Sequence, residues 1–354
     1  MPDARPILGI AGCGWVTQNC YAPHLAGAAA RFRAGPLFDT DKGRVGQACR
    51  QIGGWPADDL ASLLGACDAL LIATPNALHF DQAREAIAAG RPVLIEKPAC
   101  IQVAQAMILA EAAGQAGVGV MAADPTCRRR DIAWLLRHAG EIGVIDRIEL
   151  AWHRRSGAPA KNWHHADAGG WTGVFPDLGV HLVDIAGALL GYPQDFVELV
   201  SAKWERSAVV STAGWHGVSK SIPSEVPSAA QLEFVQAGVT VRIAVSWQSL
   251  EPGDRTTIRA FGSNGQIEFD GLIGCSNDHA LNHAHTRHLD RSGNFVRAAR
   301  FPVCPDEHVM AFAKLLGAFE QVTIGADSDR FRRQAAFVAA FCEQATLSAE
   351  CCQV

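Results

Sequence analysis

Short apolar runs alternate with longer amphipathic stretches through the first third of the chain. The pattern predicts strands at 7–11, 35–38, 69–73, 93–95 and 119–121, with helices at 22–31, 44–52, 80–89 and 103–116 between them. Strand and helix alternating at this spacing build a parallel sheet with helices on both faces. The stretch ending near Ala123 therefore reads as a doubly wound Rossmann unit, and the chain as α/β in class.

Beyond a polar, Arg-rich link at 126–131 the texture changes. A helix at 132–139 and a strand at 144–154 lead into a loop rich in Gly, His and Trp, and a helix follows at 177–190. Next come β-like runs at 196–204, 229–236, 240–247, 256–261 and 265–269, joined by short turns with no helix between them. Such runs predict a large, mainly antiparallel sheet with one open face. Two helices, at 307–322 and 328–348, close the chain. The expected division is a doubly wound domain at 1–123 and an α+β domain at 124–354. An open face of that size predicts a homodimer or homotetramer.

Composition narrows the function. At 354 residues the chain exceeds the size at which one core keeps growing, and 49% hydrophobic with 19% charged residues describes a folded protein. With 31 Lys+Arg against 36 Asp+Glu and no basic run, the footprint of a nucleic-acid binder is missing. Eleven cysteines, an odd number without CxxC pairs, point to free thiols in a reducing compartment, so the expected location is cytoplasmic. The longest apolar stretch, 107–123, is interrupted by Glu111, so no membrane partner is expected. Ile10-Ala11-Gly12-Cys13 imitates a lipoprotein cleavage site, but too short an apolar segment precedes it.

The candidate chemistry lies at strand ends. Gly12-Cys13-Gly14-Trp15-Val16-Thr17 follows a strand and opens a helix, where backbone can approach a pyrophosphate. Thr17 replaces the third glycine of GxGxxG, and a GxG turn alone is equally a mere tight turn. Asp39 follows about 20 positions on, the spacing of an acid that accepts the adenosine ribose hydroxyls and favours NAD, while Lys42 or Arg44 leaves NADP open. Thr74-Pro75-Asn76 with His79, and Glu96-Lys97-Pro98, sit at the carboxyl ends of the next two strands, the edge where open α/β sheets bind ligands. Lys97 there could hydrogen-bond a reacting oxygen, its pKa lowered by an oxidised nicotinamide; a solvated surface lysine is the alternative.

Gly169-Gly170-Trp171 precedes Asp177, His181 and Asp184. A helix starting near Pro176 would stack Asp177 and His181 on one face, a carboxylate orienting an imidazole for proton transfer. A helix-dipole aspartate and a packed histidine are the plainer alternative. Arg128, Arg154, Trp163 and His164 form a basic, aromatic set suited to a polyol, sugar or anionic ligand, or to a solvated loop. His279, His283, His285 and His288 match no zinc spacing, so no metal is expected there and the segment reads as a polar, mobile loop.

In this order the motifs resemble the glucose-fructose oxidoreductase and inositol dehydrogenase (Gfo/Idh/MocA) family over about residues 7–190. The resemblance implies NAD(P)-dependent hydride transfer at a carbinol or carbonyl carbon of a small polar metabolite. It assigns catalysis to Lys97, Asp177 and His181, with Asp184 in support, and makes the Lys97-Pro98 bond commonly cis. Imine reduction, NAD-cycling glycoside cleavage and metabolite sensing without turnover are the rival activities on the same fold. Ala123 to Arg128 departs from the family's usual aromatic or Asn next to Arg, which leaves the substrate open.

Overall fold

The computed structural model describes residues 4–27, 30–155, 157–158, 172–210, 221–222, 226–274, 276, 278–303, 305–325 and 328–351. Trp163, His164 and the Gly169-Gly170-Trp171 motif lie outside them. Two compact units emerge, Met1–Pro125 with Val309–Ala339, and Thr126–His308 with Ala340–Val354.

The first unit is built on six strands: β1 (Ile7–Ala11), β2 (Arg33–Phe38), β3 (Trp55–Pro56), β4 (Ala69–Ile72), β5 (Val93–Ile95) and β6 (Val120–Ala122). They pair parallel throughout in the order β3-β2-β1-β4-β5-β6. Helices α1 (Ala22–Leu25), α2 (Lys42–Ile52), α3 (Leu60–Gly65), α4 (His79–Ala88) and α5 (Val103–Ala116) connect them. Every residue of β4 and β5 is buried, as a strand covered on both faces requires. Local signals set the helix ends. The Asp41 carboxylate accepts from Gly43 and Arg44 N–H at the start of α2, Asp59 and Ser62 form a capping box on α3, and Gly53 and Gly117 stop α2 and α5 in left-handed conformations.

The expected domain boundary needs one correction. Residues 309–339, read as part of the second domain, pack into the Rossmann unit. They belong to the helices α8 (Pro305–Ile324) and α9 (Ser328–Cys351). Phe312 meets Tyr21 edge-on at 4.8 Å and Phe319 stacks on Phe32 at 5.7 Å, while Phe331, Ala335 and Ala339 join Leu63, Ala106 and Leu109 in a second cluster. Both apolar layers of this unit are completed by these two helices.

The second unit carries β7 (Ile145–His153), β8 (Val197–Arg206), a small pair β9 (Val209–Val210) and β10 (Ser221–Ile222), then β11 (Pro227–Gln236), β12 (Val239–Ser246), β13 (Arg255–Gly262), β14 (Gly265–Gly271), β15 (His283–Asp290) and β16 (Phe295–Pro302). Eight of these make one sheet, β16-β15-β14-β13-β7-β12-β11-β8, antiparallel except between β12 and β7. Helices α6 (Arg130–His138) and α7 (Val180–Leu190) lie against it. Alternating Ala230, Leu232 and Phe234 on β11, and Val241, Ile243 and Val245 on β12, are buried. The opposite face carries ion pairs between neighbouring strands: Arg242 with Glu233 at 2.6 Å and Glu149 at 3.4 Å, and Arg255 with Asp270 at 2.7 Å.

The histidine-rich segment is not a loop. His283 to Asp290 form β15, with Ala284, Thr286 and His288 turned inward and His283, His285 and Arg287 half-exposed. The period of two is present, but the inward positions are small or polar, so hydrophobic alternation does not reveal it. Among the described residues no helix is long and apolar enough to cross a membrane.

Candidate active site

The glycine turn of the first unit is shaped by steric necessity. Gly12 has φ +94°, and a Cβ there would stand 2.4 Å from the Ala73 carbonyl oxygen, so only glycine fits between β1 and β4. At Gly14 a Cβ would meet nothing within 4 Å, so the turn borders open space where a pyrophosphate can lie. Trp15 and Val16, both half-buried, begin the following helix. Thr17, the departure from GxGxxG, is fully buried and donates its hydroxyl to the Gly12 carbonyl at 2.6 Å. The helix widens to a π-turn over Thr17–Tyr21 instead of running as the expected 22–31 helix, which stops at Leu25. π-turns concentrate at functional sites.

Asp39 follows the end of β2 and faces this turn. Its Oδ2 accepts the Cys13 N–H at 2.8 Å and its Oδ1 the Asp41 N–H at 2.9 Å, so the carboxylate is held beside the glycines. Burial, reinforced by Asp39, pushes the Cys13 thiol up to about 12. A thiol held protonated there is no nucleophile.

His79 staples the next two strand ends together. It is buried, with Nε2 2.9 Å from the Thr74 carbonyl and Nδ1 2.9 Å from the Pro98 carbonyl. Two acceptors favour a doubly protonated ring, but burial is the larger effect and lowers its pKa. The Thr74 hydroxyl donates to Gln82 at 2.7 Å, and Pro75 and Asn76 cover the edge. Glu96 is buried; it accepts the Tyr21 hydroxyl at 2.7 Å on Oε1 and the Lys97 N–H at 3.0 Å on Oε2. Burial, then Glu96, raises the Tyr21 pKa well above the ordinary phenol value. Tyr21 thus ties the glycine-turn helix to the Lys97 turn, where the Lys97-Pro98 bond is cis and Lys97 is half-buried. These features fit the adenosine, pyrophosphate and nicotinamide parts of a dinucleotide. Gly12, Gly14 and Asp39 would hold it, and bound there it would supply the hydride acceptor or donor.

In the second unit the expected α-helix across Asp177 and His181 begins as a π-turn, Phe175–Gly179, before α7. The extra residue per turn breaks the simple stacking of i on i+4. The Asp177 Oδ2 accepts from Arg154 Nη1 at 3.0 Å and from Trp247 Nε1 at 2.8 Å. Arg154 and Trp247 are both buried, at 2% and 0% exposure, so Arg154 backs the carboxylate rather than standing open to a substrate. His181 is half-buried; its Nδ1 lies 3.0 Å from the Thr126 hydroxyl and its ring 5.6 Å from that of Trp152. Asp184, buried, accepts from Cys127 Sγ at 3.6 Å and from the Tyr192 hydroxyl at 2.9 Å. Arg128, half-buried, closes the short 3-10 turn Thr126–Arg128, and Arg129 behind it forks onto Asp131 at 2.7 Å and the Leu272 carbonyl at 3.0 Å. Thr126, Trp152, Trp247 and Tyr21 were not singled out by motif. Only tertiary proximity marks them.

Comparison with known proteins identifies the family. The model described as "Oxidoreductase family, NAD-binding Rossmann fold" matches residues 8–123, and that of the GFO/IDH/MocA C-terminal domain matches 135–268. A protein of Amycolatopsis mediterranei (strain S699), assigned as the oxidoreductase subunit of a UDP-kanosamine synthase, is 30% identical over 75% of each chain. The fold is shared with GenD2 from gentamicin A biosynthesis, solved with NAD (TM-score 0.74, 20% identity, covering 98% of this chain and 94% of that one). It is shared also with UDP-N-acetylglucosamine 3-dehydrogenase GnnA from Acidithiobacillus ferrooxidans (TM-score 0.67, 21% identity, 99% of each). The chain belongs to the Gfo/Idh/MocA family of NAD(P)-dependent oxidoreductases.

Proposed function

We propose that this enzyme oxidises a secondary alcohol, or reduces the matching ketone, on the hexose ring of a nucleotide-linked sugar. The observation that carries the proposal is the placement, at the start of one helix of the second unit, of His181, whose Nδ1 meets the Thr126 hydroxyl, and of the Asp177 carboxylate, ion-paired to buried Arg154. In the oxidation direction His181 takes the hydroxyl proton as hydride leaves the carbinol carbon; in reduction it returns it. Asp177, fixed by Arg154 and Trp247, is suited to accept a neighbouring sugar hydroxyl and so orient the ring. Lys97 takes from the family pattern the task of polarising the reacting oxygen.

The sugar-nucleotide class is supported by relatives whose names carry UDP-linked sugars. Asp39 supports NAD over NADP, since its carboxylate would repel a 2′-phosphate. The open face of the second sheet is proposed as the surface through which copies of the chain associate. The test is a panel of UDP-hexoses, free hexoses and inositols with NAD, read as net NADH formed. Turnover confined to the UDP-hexoses is expected. Turnover only on free polyols would overturn the substrate class, and consumption of substrate without NADH would replace the reaction by an internal redox cycle.

A further inference from the structure

Thr126 is 2% exposed, and its hydroxyl oxygen lies 3.0 Å from Nδ1 of His181. The next residue makes a parallel contact one helical turn along, Cys127 Sγ donating to Asp184 at 3.6 Å. His181 and Asp184, three apart on α7, share a face, and the turn Thr126–Arg128 lies along it. Trp152 bounds the imidazole on another side.

We propose that Thr126 is a positioning residue for His181, its hydroxyl holding the ring in one orientation through both halves of the proton-transfer cycle. The inference rests on the assignment of His181 as the proton-transfer group. A hydroxyl both donates and accepts. Facing a neutral ring whose Nδ1 lacks a proton, Thr126 donates; facing the imidazolium, it accepts the Nδ1 proton. An ionised carboxylate in this place could only accept and would raise the basicity of the ring. Of the nearby carboxylates, Asp177 accepts from Arg154 and Trp247, and Asp184 from Cys127 and Tyr192. Among the described residues, the charged groups of this region include Arg128 on the same turn and Arg154, whose guanidinium lies 5.7 Å from the Trp152 ring. Because hydrogen bonds to a charged group are the stronger ones, the hydroxyl favours the protonated ring.

Thr126→Val removes the hydroxyl at nearly constant shape, Thr126→Ala removes it without overpacking, and Thr126→Ser keeps it. The first two are expected to lower kcat about 10- to 100-fold, the scale for a misplaced catalytic group, with KM for NAD unchanged. They also move the acidic limb of the kcat profile to lower pH by about one unit, while serine restores both. Nitrogen-15 NMR of histidine-labelled protein, with the His181 signal identified by its loss in His181→Asn, reads the contact without turnover and is expected to change in the valine and alanine variants alone. Wild-type kcat, pH limb and His181 shifts in folded Thr126→Val or Thr126→Ala would overturn the inference and leave the function standing. Turnover unaffected by His181→Ala would overturn the function, and the inference with it.

Discussion

The Arg154 guanidinium and the Asp177 carboxylate form an ion pair 3.0 Å long, with side chains 3% and 9% exposed. Such a pair is more costly to break than valuable to keep, because either partner alone is a buried, uncompensated charge. Arg154→Met should therefore destabilise the fold by about 3–5 kcal/mol, whereas Arg154→Met with Asp177→Leu should recover most of that loss while activity stays absent. Urea denaturation of both variants checks this. An Arg154→Met protein as stable as wild type, but with a raised KM for the sugar substrate, would place Arg154 at the surface of the site as a substrate reader.

His79 gives stability a dependence on pH. Its pKa in the folded protein is below the ordinary value, chiefly through burial. The unfolded chain therefore takes up the proton first as pH falls, so the contribution of His79 is intact above about 6.5 and is lost as pH drops through the window below it. Urea midpoints of wild type should fall more steeply between about pH 6.5 and 5 than those of His79→Gln, which cannot titrate there. Parallel curves would mean that the two carbonyl contacts cancel the effect of burial.

Asp39 faces the glycine turn through the Cys13 N–H. Asp39→Ala should weaken NADH binding by about 10- to 100-fold, the range for a lost hydrogen bond to a charged group, and should narrow the gap between NADH and NADPH. Fluorescence titration with each nucleotide measures both effects. An unchanged preference would move cofactor choice to Lys42 or Arg44.

Much of the fold was legible in the sequence, for a physical reason. Strands buried on both faces read as unbroken apolar runs, and those at 7–11 and 93–95 coincide with β1 and β5. β15 was not legible because its inward positions are Ala284, Thr286 and His288, too small or polar to stand out as an apolar alternation. Nor does any local pattern tell a π-turn from an α-turn, so the stacking expected of Asp177 on His181 gave way to separate partners, Arg154 and Thr126. The motif residues can be read from the sequence; the residues that hold them, such as Thr126 and Trp247, are set by contacts far along the chain. In sequence Arg154 suits a ligand reader or a solvated loop, and only packing shows that it is buried against the Asp177 carboxylate.

The central claim is hydride transfer with His181 moving the proton. It is tested most directly by following NADH formation from NAD and UDP-hexoses with wild type and His181→Ala side by side, after NADH titration of each. Turnover by wild type, a loss of about 10²- to 10⁴-fold in the variant and equal NADH affinity are the predicted result. Equal turnover by both proteins, or none by wild type with NADH bound, would contradict it.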